Sequence, residues 1–172
     1  MTKAGRLALF AMALLLPACY DFESPLDATP QLSRDETLLG AWSCLSADPG
    51  PDDQAATLTV AAAREREYEL SFFNEPGKPP ERFHGYASNV SGSTILNLRA
   101  ERASKASNRW NLVRYSFPLP HLLRFELVDE EPFKQVEGSS AELRRMLESV
   151  GTQPGVYEDF CVCVRVSKGS RS

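Results

Sequence analysis

From Leu38 onward the chain is built of short runs in which apolar side chains recur at every second position, separated by segments rich in glycine, proline, asparagine, aspartate and serine. Period two is the signature of strands with one buried face. Eight strands are predicted, over Ala41 to Ser46, Thr57 to Ala62, Glu67 to Phe73, Arg82 to Ser88, Thr94 to Arg99, Trp110 to Phe117, His121 to Asp129 and Tyr157 to Val166. Pro49-Gly50-Pro51-Asp52-Asp53, Asn74-Glu75-Pro76-Gly77, Ser91-Gly92-Ser93 and the polar run Glu101 to Asn108 supply turns or loops between them. Leu58 and Val60 share a face, as do Tyr68, Leu70 and Phe72, and Leu123, Phe125 and Leu127. A single helix is expected before the last strand. Ser139 with Glu142 makes a capping box, and Leu143, Met146, Leu147 and Val150 form a stripe ended by Gly151, read as core packing.

Eight antiparallel strands close either as a sandwich or as an up-and-down barrel. The cysteines favour the barrel. There the first and last strands pair, which brings Cys44 beside Cys161 and Cys163. If Cys44 lies opposite Cys163, Trp42 lies opposite Arg165, so one register yields a covalent closure together with a cation over an indole. A bridge from Cys44 to Cys161 shifts the register by two and loses that match, and a bridge within Cys161-x-Cys163 suits an extended strand poorly. Each alternative leaves one thiol unpaired, either buried or free to cross-link.

Gly40-Ala41-Trp42 on the first strand and Arg165 on the last resemble the Gly-x-Trp motif and the arginine that packs over it in lipocalin-type calycins. The family's Thr-Asp-Tyr-type middle motif is missing. The resemblance implies an all-β fold, an eight-stranded antiparallel lipocalin-like barrel over residues 37–167; residues 168–172 read as a disordered tail. That family binds varied lipids, pigments and other small molecules, so the resemblance names no ligand; if the mouth accepts an apolar small molecule or lipid, Trp42, Tyr68, Phe72, Phe125 and His121 are the candidate ligand-binding residues on the inferred inward faces.

The start of the chain speaks to location. Lys3 and Arg6 precede an unbroken apolar run from Leu7 to Leu16, too short for a bilayer-spanning helix and suited to a secretory signal. Leu16-Pro17-Ala18-Cys19 resembles the lipobox of bacterial lipoproteins, with Leu16 three places before the cysteine and Ala18 directly before it. The resemblance implies that residues 1–18 are removed and that Cys19 carries palmitate-type acyl chains that hold the protein at a membrane. Tyr20, rather than the aspartate that favours inner-membrane retention, points to the cell outer membrane. Residues 19–36, with Pro25 and Pro30 and no periodicity, read as a lipidated N-terminus and flexible tether. Loss of Lys3 and Arg6 with the leader takes the net charge of −4 further down, so nucleic acid is not the expected partner. An exported chain also meets an oxidising compartment, where disulfides persist.

No catalytic signature stands out. There is no Gly-x-Ser-x-Gly elbow, no His-Glu-x-x-His and no phosphate-binding glycine loop, and the two histidines, His84 and His121, read as structural. Glu65, Glu67 and Glu69 read as a solvated strand face rather than a metal site, so no enzyme, cofactor or metal is expected. Two functions remain. One is an envelope lipoprotein whose barrel carries an apolar ligand. The other is a filled barrel that binds another envelope protein, for example as an enzyme inhibitor of the lipoprotein type that acts on lysozyme. That inhibitor family carries a Ser-Gly-x-x-Tyr loop, of which Ser91-Gly92 supplies only the first two residues, with Ile95 in place of tyrosine.

Overall fold

The computed structural model describes residues 21–166 apart from 51–52, 76, 102–108 and 135–137. The leader, Cys19 and the tail at 168–172 lie outside the described residues.

The strands are β1 (Asp21–Phe22), β2 (Gly40–Ser46), β3 (Ala56–Ala62), β4 (Glu67–Phe73), β5 (Glu81–Val90), β6 (Ser93–Ala100), β7 (Trp110–Leu119), β8 (Leu122–Val128) and β9 (Tyr157–Arg165), and α1 (Ser140–Val150) precedes the last of them. Strands β2 to β9 form a closed antiparallel barrel in sequence order, with β9 returning to β2, and β1 adds a short pairing on β7. This is the lipocalin-like barrel with one helix before the last strand that the alternation and the cysteines predict. Closure leaves the barrel no unpaired edge for another chain to extend.

The β2–β9 register places Cys44 opposite Cys163 and Trp42 opposite Arg165. Cys44 and Cys163 are disulfide-bonded and Cys161 is a buried free thiol, which settles the three alternatives in favour of the register that also seats the arginine over the indole. Gly40 is required there. Its φ is +131°, and a Cβ would lie 3.0 Å from Nη1 of Arg165. A side chain would be strained and would also push on the arginine. Gly85 of β5 has a different cause, because its Cβ would lie 1.9 Å from the backbone oxygen of Asn97 on β6.

Strand ends differ from the expected ones where turns are tighter than their composition suggests. β5 runs on to Val90 because Ser91 (φ 50°) and Gly92 (φ 82°) alone make the turn, and Ser93 already belongs to β6. β7 continues through Pro118 to Leu119 across a register shift, so β8 starts at Leu122 and His121 falls in the turn.

Two apolar clusters lie on opposite sides of the strand wall. Inside the barrel are Trp42, Tyr68, Leu96, Tyr115, Leu123 and Phe125 among others. Outside it, α1 lays Leu143 and Leu147 against Val90, Ile95 and Leu112, which the expected core role of the helix requires. Ser139 caps α1 by accepting from the Glu142 N–H, and Gly151 follows its last turn.

The segment before the barrel corrects one expectation: from Asp21 to Leu39 the chain is packed against the barrel rather than a flexible tether. Phe22 and Leu26 are buried in the outer cluster, and Leu38 in the inner one. Composition hides this, because the segment gains order from the barrel instead of from any periodicity of its own. Asn97, on the outward face of β6 and fully buried, accepts from the Leu26 N–H at 2.7 Å and donates to the Ser88 hydroxyl at 2.9 Å and to the Tyr86 carbonyl at 3.2 Å. Asp27 accepts from Ser88 at 2.6 Å and pairs with Arg144 of α1 at 2.7 Å. The segment, the barrel wall and the helix are thus tied at one point.

Candidate functional site

The barrel interior is divided by height into a filled half and an open half. The filled half lies at the end where β2 begins and β9 stops. There the turn Glu36–Leu38, capped by Asp35, crosses below the barrel. Trp42 donates its indole N–H to the Leu38 carbonyl at 3.0 Å, and the Arg165 guanidinium sits 4.1 Å from the ring centre on the other side. Arg165 also donates to the Leu39 carbonyl at 2.9 Å and to the carbonyl of Thr37. A partly buried cation over tryptophan contributes about 0.5 to 2 kcal/mol, and together with its two carbonyl partners Arg165 closes this end of the barrel. Phe117 packs 5.9 Å from both Trp42 and Tyr115. Tyr115 donates to Oδ2 of Asp35 at 3.1 Å, and Tyr68 accepts from the Asp35 N–H at 2.6 Å. Burial, first of all, raises the pKa of both phenols, and the Asp35 carboxylate adds to the rise, so both remain neutral.

At the opposite end a cavity of about 770 Å3 enters the barrel. Its wall includes Leu58, Leu70, Phe72, Phe83, Val113 and Phe125, and Cys44 and Cys161 also border it. Phe72 lies 6.3 Å from Phe160, which a bulge in β9 beside Phe125 turns toward the same space. The rim is acidic: Asp48, Asp53, Glu75, Glu81, Glu158 and Asp159 border the mouth, and no lysine, arginine or histidine is among the described lining residues. Cations lie beside the mouth at Glu75 and Asp159. Glu75 pairs with Lys78 at 2.5 Å, and Asp159 accepts from Arg124. Asp53 accepts from the Gly50 N–H at 2.8 Å, and so shapes its own loop.

The five candidate ligand residues therefore separate. Phe72 and Phe125 line the cavity. Trp42 and Tyr68 do point inward, as period two requires, but both are fully buried in the filled half and are not among the described residues that line this cavity. His121 does not point inward. It is exposed in the turn between β7 and β8, at the filled end, where its carbonyl accepts from the Arg165 N–H. Its parity with Leu123 had no ladder to act on, since the strand starts one residue later.

Cys161 is the unpaired thiol of the three. Its sulfur lies 3.8 Å from that of Cys163, and burial pushes its pKa up to about 12, so it stays a thiol at neutral pH. Cys44, Cys161 and Cys163 form the one metal-type cluster among the described residues, and the disulfide occupies two of its three sulfurs. Glu65 is exposed, and Glu67 and Glu69 are half-buried on the outward face of β4, a solvated face. Among the described residues no helix is long and apolar enough to cross a membrane. Sequence reasoning missed Asn97 and the acidic rim. The first carries no local signal, and the second is drawn from four separate loops and strand ends. Comparison with protein-family models, curated proteins and solved structures finds no match to this chain.

Proposed function

We propose that the chain is an envelope lipoprotein, acylated at Cys19 and carried to the outer membrane, whose barrel binds an apolar small molecule or lipid in the open half. The observation that supports this most is the cavity. Its volume of about 770 Å3 falls in the ordinary range for small-molecule sites, and its wall is apolar and aromatic. The rim adds selectivity. The rim's six carboxylates outnumber the cations described beside them, Lys78 and Arg124, and this acidic excess disfavours a fatty-acid head, whose charge it would repel, and favours a neutral or amine-bearing one.

The test is a binding series with a fluorescent apolar probe, displaced by an alkyl amine, an alcohol and a carboxylate of equal chain length. The amine and the alcohol should displace the probe and the carboxylate should be weaker. Phe72→Ala and Phe125→Ala should weaken uptake, whereas the filled-half substitution Trp42→Ala should act mainly on stability. Absence of saturable binding for every probe, with no small molecule retained in native mass spectrometry, overturns the carrier reading.

Binding of an envelope protein is the second reading. An outer patch of exposed aliphatic side chains, Leu119, Val162, Val164 and Val166, favours it. The inhibitor version gains no support from Ser91-Gly92, because that turn is two residues long and Ile95 is fully buried. Charge placed in the patch, as in Val164→Glu, should leave probe uptake unchanged.

A further inference from the structure

The way the N-terminal segment is fastened fixes where an anchor at Cys19 would pull. Asp21 and Phe22 pair with Asn111 and Trp110, the first residues of β7, at the end of the barrel where the cavity opens. Asn111 itself borders the cavity. The attachment is firm: Phe22 is buried and packs against Phe133 with ring centres 5.7 Å apart, Arg109 donates to the Asp21 carbonyl, and Leu26 is held by Asn97.

Only Tyr20 separates Cys19 from Asp21. Two residues of chain span at most about 7 Å. The filled end is much farther away. From Asn111 to Leu119 along β7 is eight residues, about 26 Å at the rise of a strand, or about 20 Å of barrel height at the usual tilt. While β1 stays paired, an anchor with a reach of about 7 Å is therefore attached near the mouth end and about 20 Å of barrel height from the filled end.

We infer that the packed N-terminal segment is a strut that turns the mouth of the barrel toward the membrane holding Cys19, so that the cavity exchanges its ligand with the bilayer directly. The inference rests on the proposed acylation of Cys19. It makes the contents of the cavity a membrane amphiphile in preference to a solute of the aqueous phase. The acidic rim sets the approach: repulsion from anionic headgroups decays over about 8 Å at physiological salt, close to the reach of the anchor itself.

The experiment uses the acylated full-length product in phosphatidylcholine vesicles doped with a nitroxide-headgroup lipid. A fluorophore is attached at the mouth through Asp48→Cys or at the filled end through Glu65→Cys, both exposed positions. Quenching at the mouth should exceed that at the filled end severalfold. A flexible Gly-Ser insertion of about twelve residues after Tyr20, whose r.m.s. span is about 19 Å, should keep the protein on the vesicles and bring the two positions to equal quenching. Equal or reversed quenching without the insertion overturns the proposal and leaves the anchor intact. Failure of the parent to incorporate palmitate or to float with vesicles, matching Cys19→Ala, overturns the anchor reading and this inference with it.

Discussion

Replacing Cys44 with alanine opens the one disulfide among the described residues, which links the two strands of the seam where the barrel closes. The bridge joins residues 119 apart in sequence, and the chain-entropy model assigns a loop of that size about 5 kcal/mol of stabilisation at 25 °C. Domains of this size are stable by about 5 to 15 kcal/mol, so the loss is a large share of the total and corresponds to a fall in Tm of about 10 to 20 °C. Cys163→Ala should cost less. It leaves Cys44 and Cys161, whose sulfurs belong to one cluster spanning no more than 4.8 Å, and these can bridge after a local shift. Cys44→Ala leaves Cys161 and Cys163 on one strand, where bridging is unfavourable. Urea unfolding of a chain starting at Tyr20, run without reductant and paired with a thiol count of the unfolded protein, reads both effects. Both remaining cysteines should react in Cys44→Ala and neither in Cys163→Ala. A loss below about 1 kcal/mol in Cys44→Ala would refute the argument, because the seam would then be held by the β2–β9 ladder alone and the denatured chain would gain little freedom from the cut.

Gly40→Ala should destabilise by about 1 to 3 kcal/mol, since it puts a side chain at φ +131° and 3.0 Å from Arg165; an unchanged urea midpoint would show that the start of β2 relaxes freely. Asn97→Leu removes the acceptor of the buried Leu26 N–H, which should cost about 1 to 3 kcal/mol and open the segment around Leu26 to limited proteolysis, with the barrel itself remaining resistant. Alkaline pH should destabilise the fold through Cys161. Its thiol ionises near 9.0 when unfolded and near about 12 when folded, so this contribution is full below pH 9 and is lost as pH rises toward 12. Cys161→Ala should flatten the decline of the urea midpoint between pH 9 and 10; an unaltered slope would assign the decline to the tyrosines.

The barrel was legible because two independent periodicities agree. Alternation alone admits a sandwich, but Cys44, Trp42, Cys163 and Arg165 lie at matching intervals on two strands far apart in sequence, and one register satisfies both pairs. Turn residues marked most boundaries to within two positions. The misses have local causes: Ser91 takes a left-handed conformation that lets a two-residue turn replace a longer one, and Pro118 is tolerated inside β7 because the ladder shifts there. The segment from Asp21 to Leu39 was illegible for a different reason. Its order comes from Asn97, Tyr86, Ser88 and Arg144, all more than fifty residues away in sequence, and no window of the chain contains both sides of the interaction.

The site was half legible, and the division follows from what a strand pattern encodes. Period two says whether a side chain points inward; it carries no information about height along the barrel. Trp42, Tyr68, Phe72 and Phe125 are equally inward by parity, yet the first two meet Leu38 and Asp35, which enter from the segment before β2, and Trp42 also meets Arg165 at the last position of β9, and these fill that end. The other two meet nothing comparable from the strands around them. Height is decided by the segments that cross the ends, and here a single segment decides it twice. Residues before β2 run from the mouth, down the outer wall, and into the far end, so the chain that plugs one end of the barrel also leaves Asp21 beside the other. The plug at the filled end and the place of Asp21 beside the mouth are then consequences of one path, and loosening that path should disturb the filled end and, on the proposed acylation of Cys19, the orientation together.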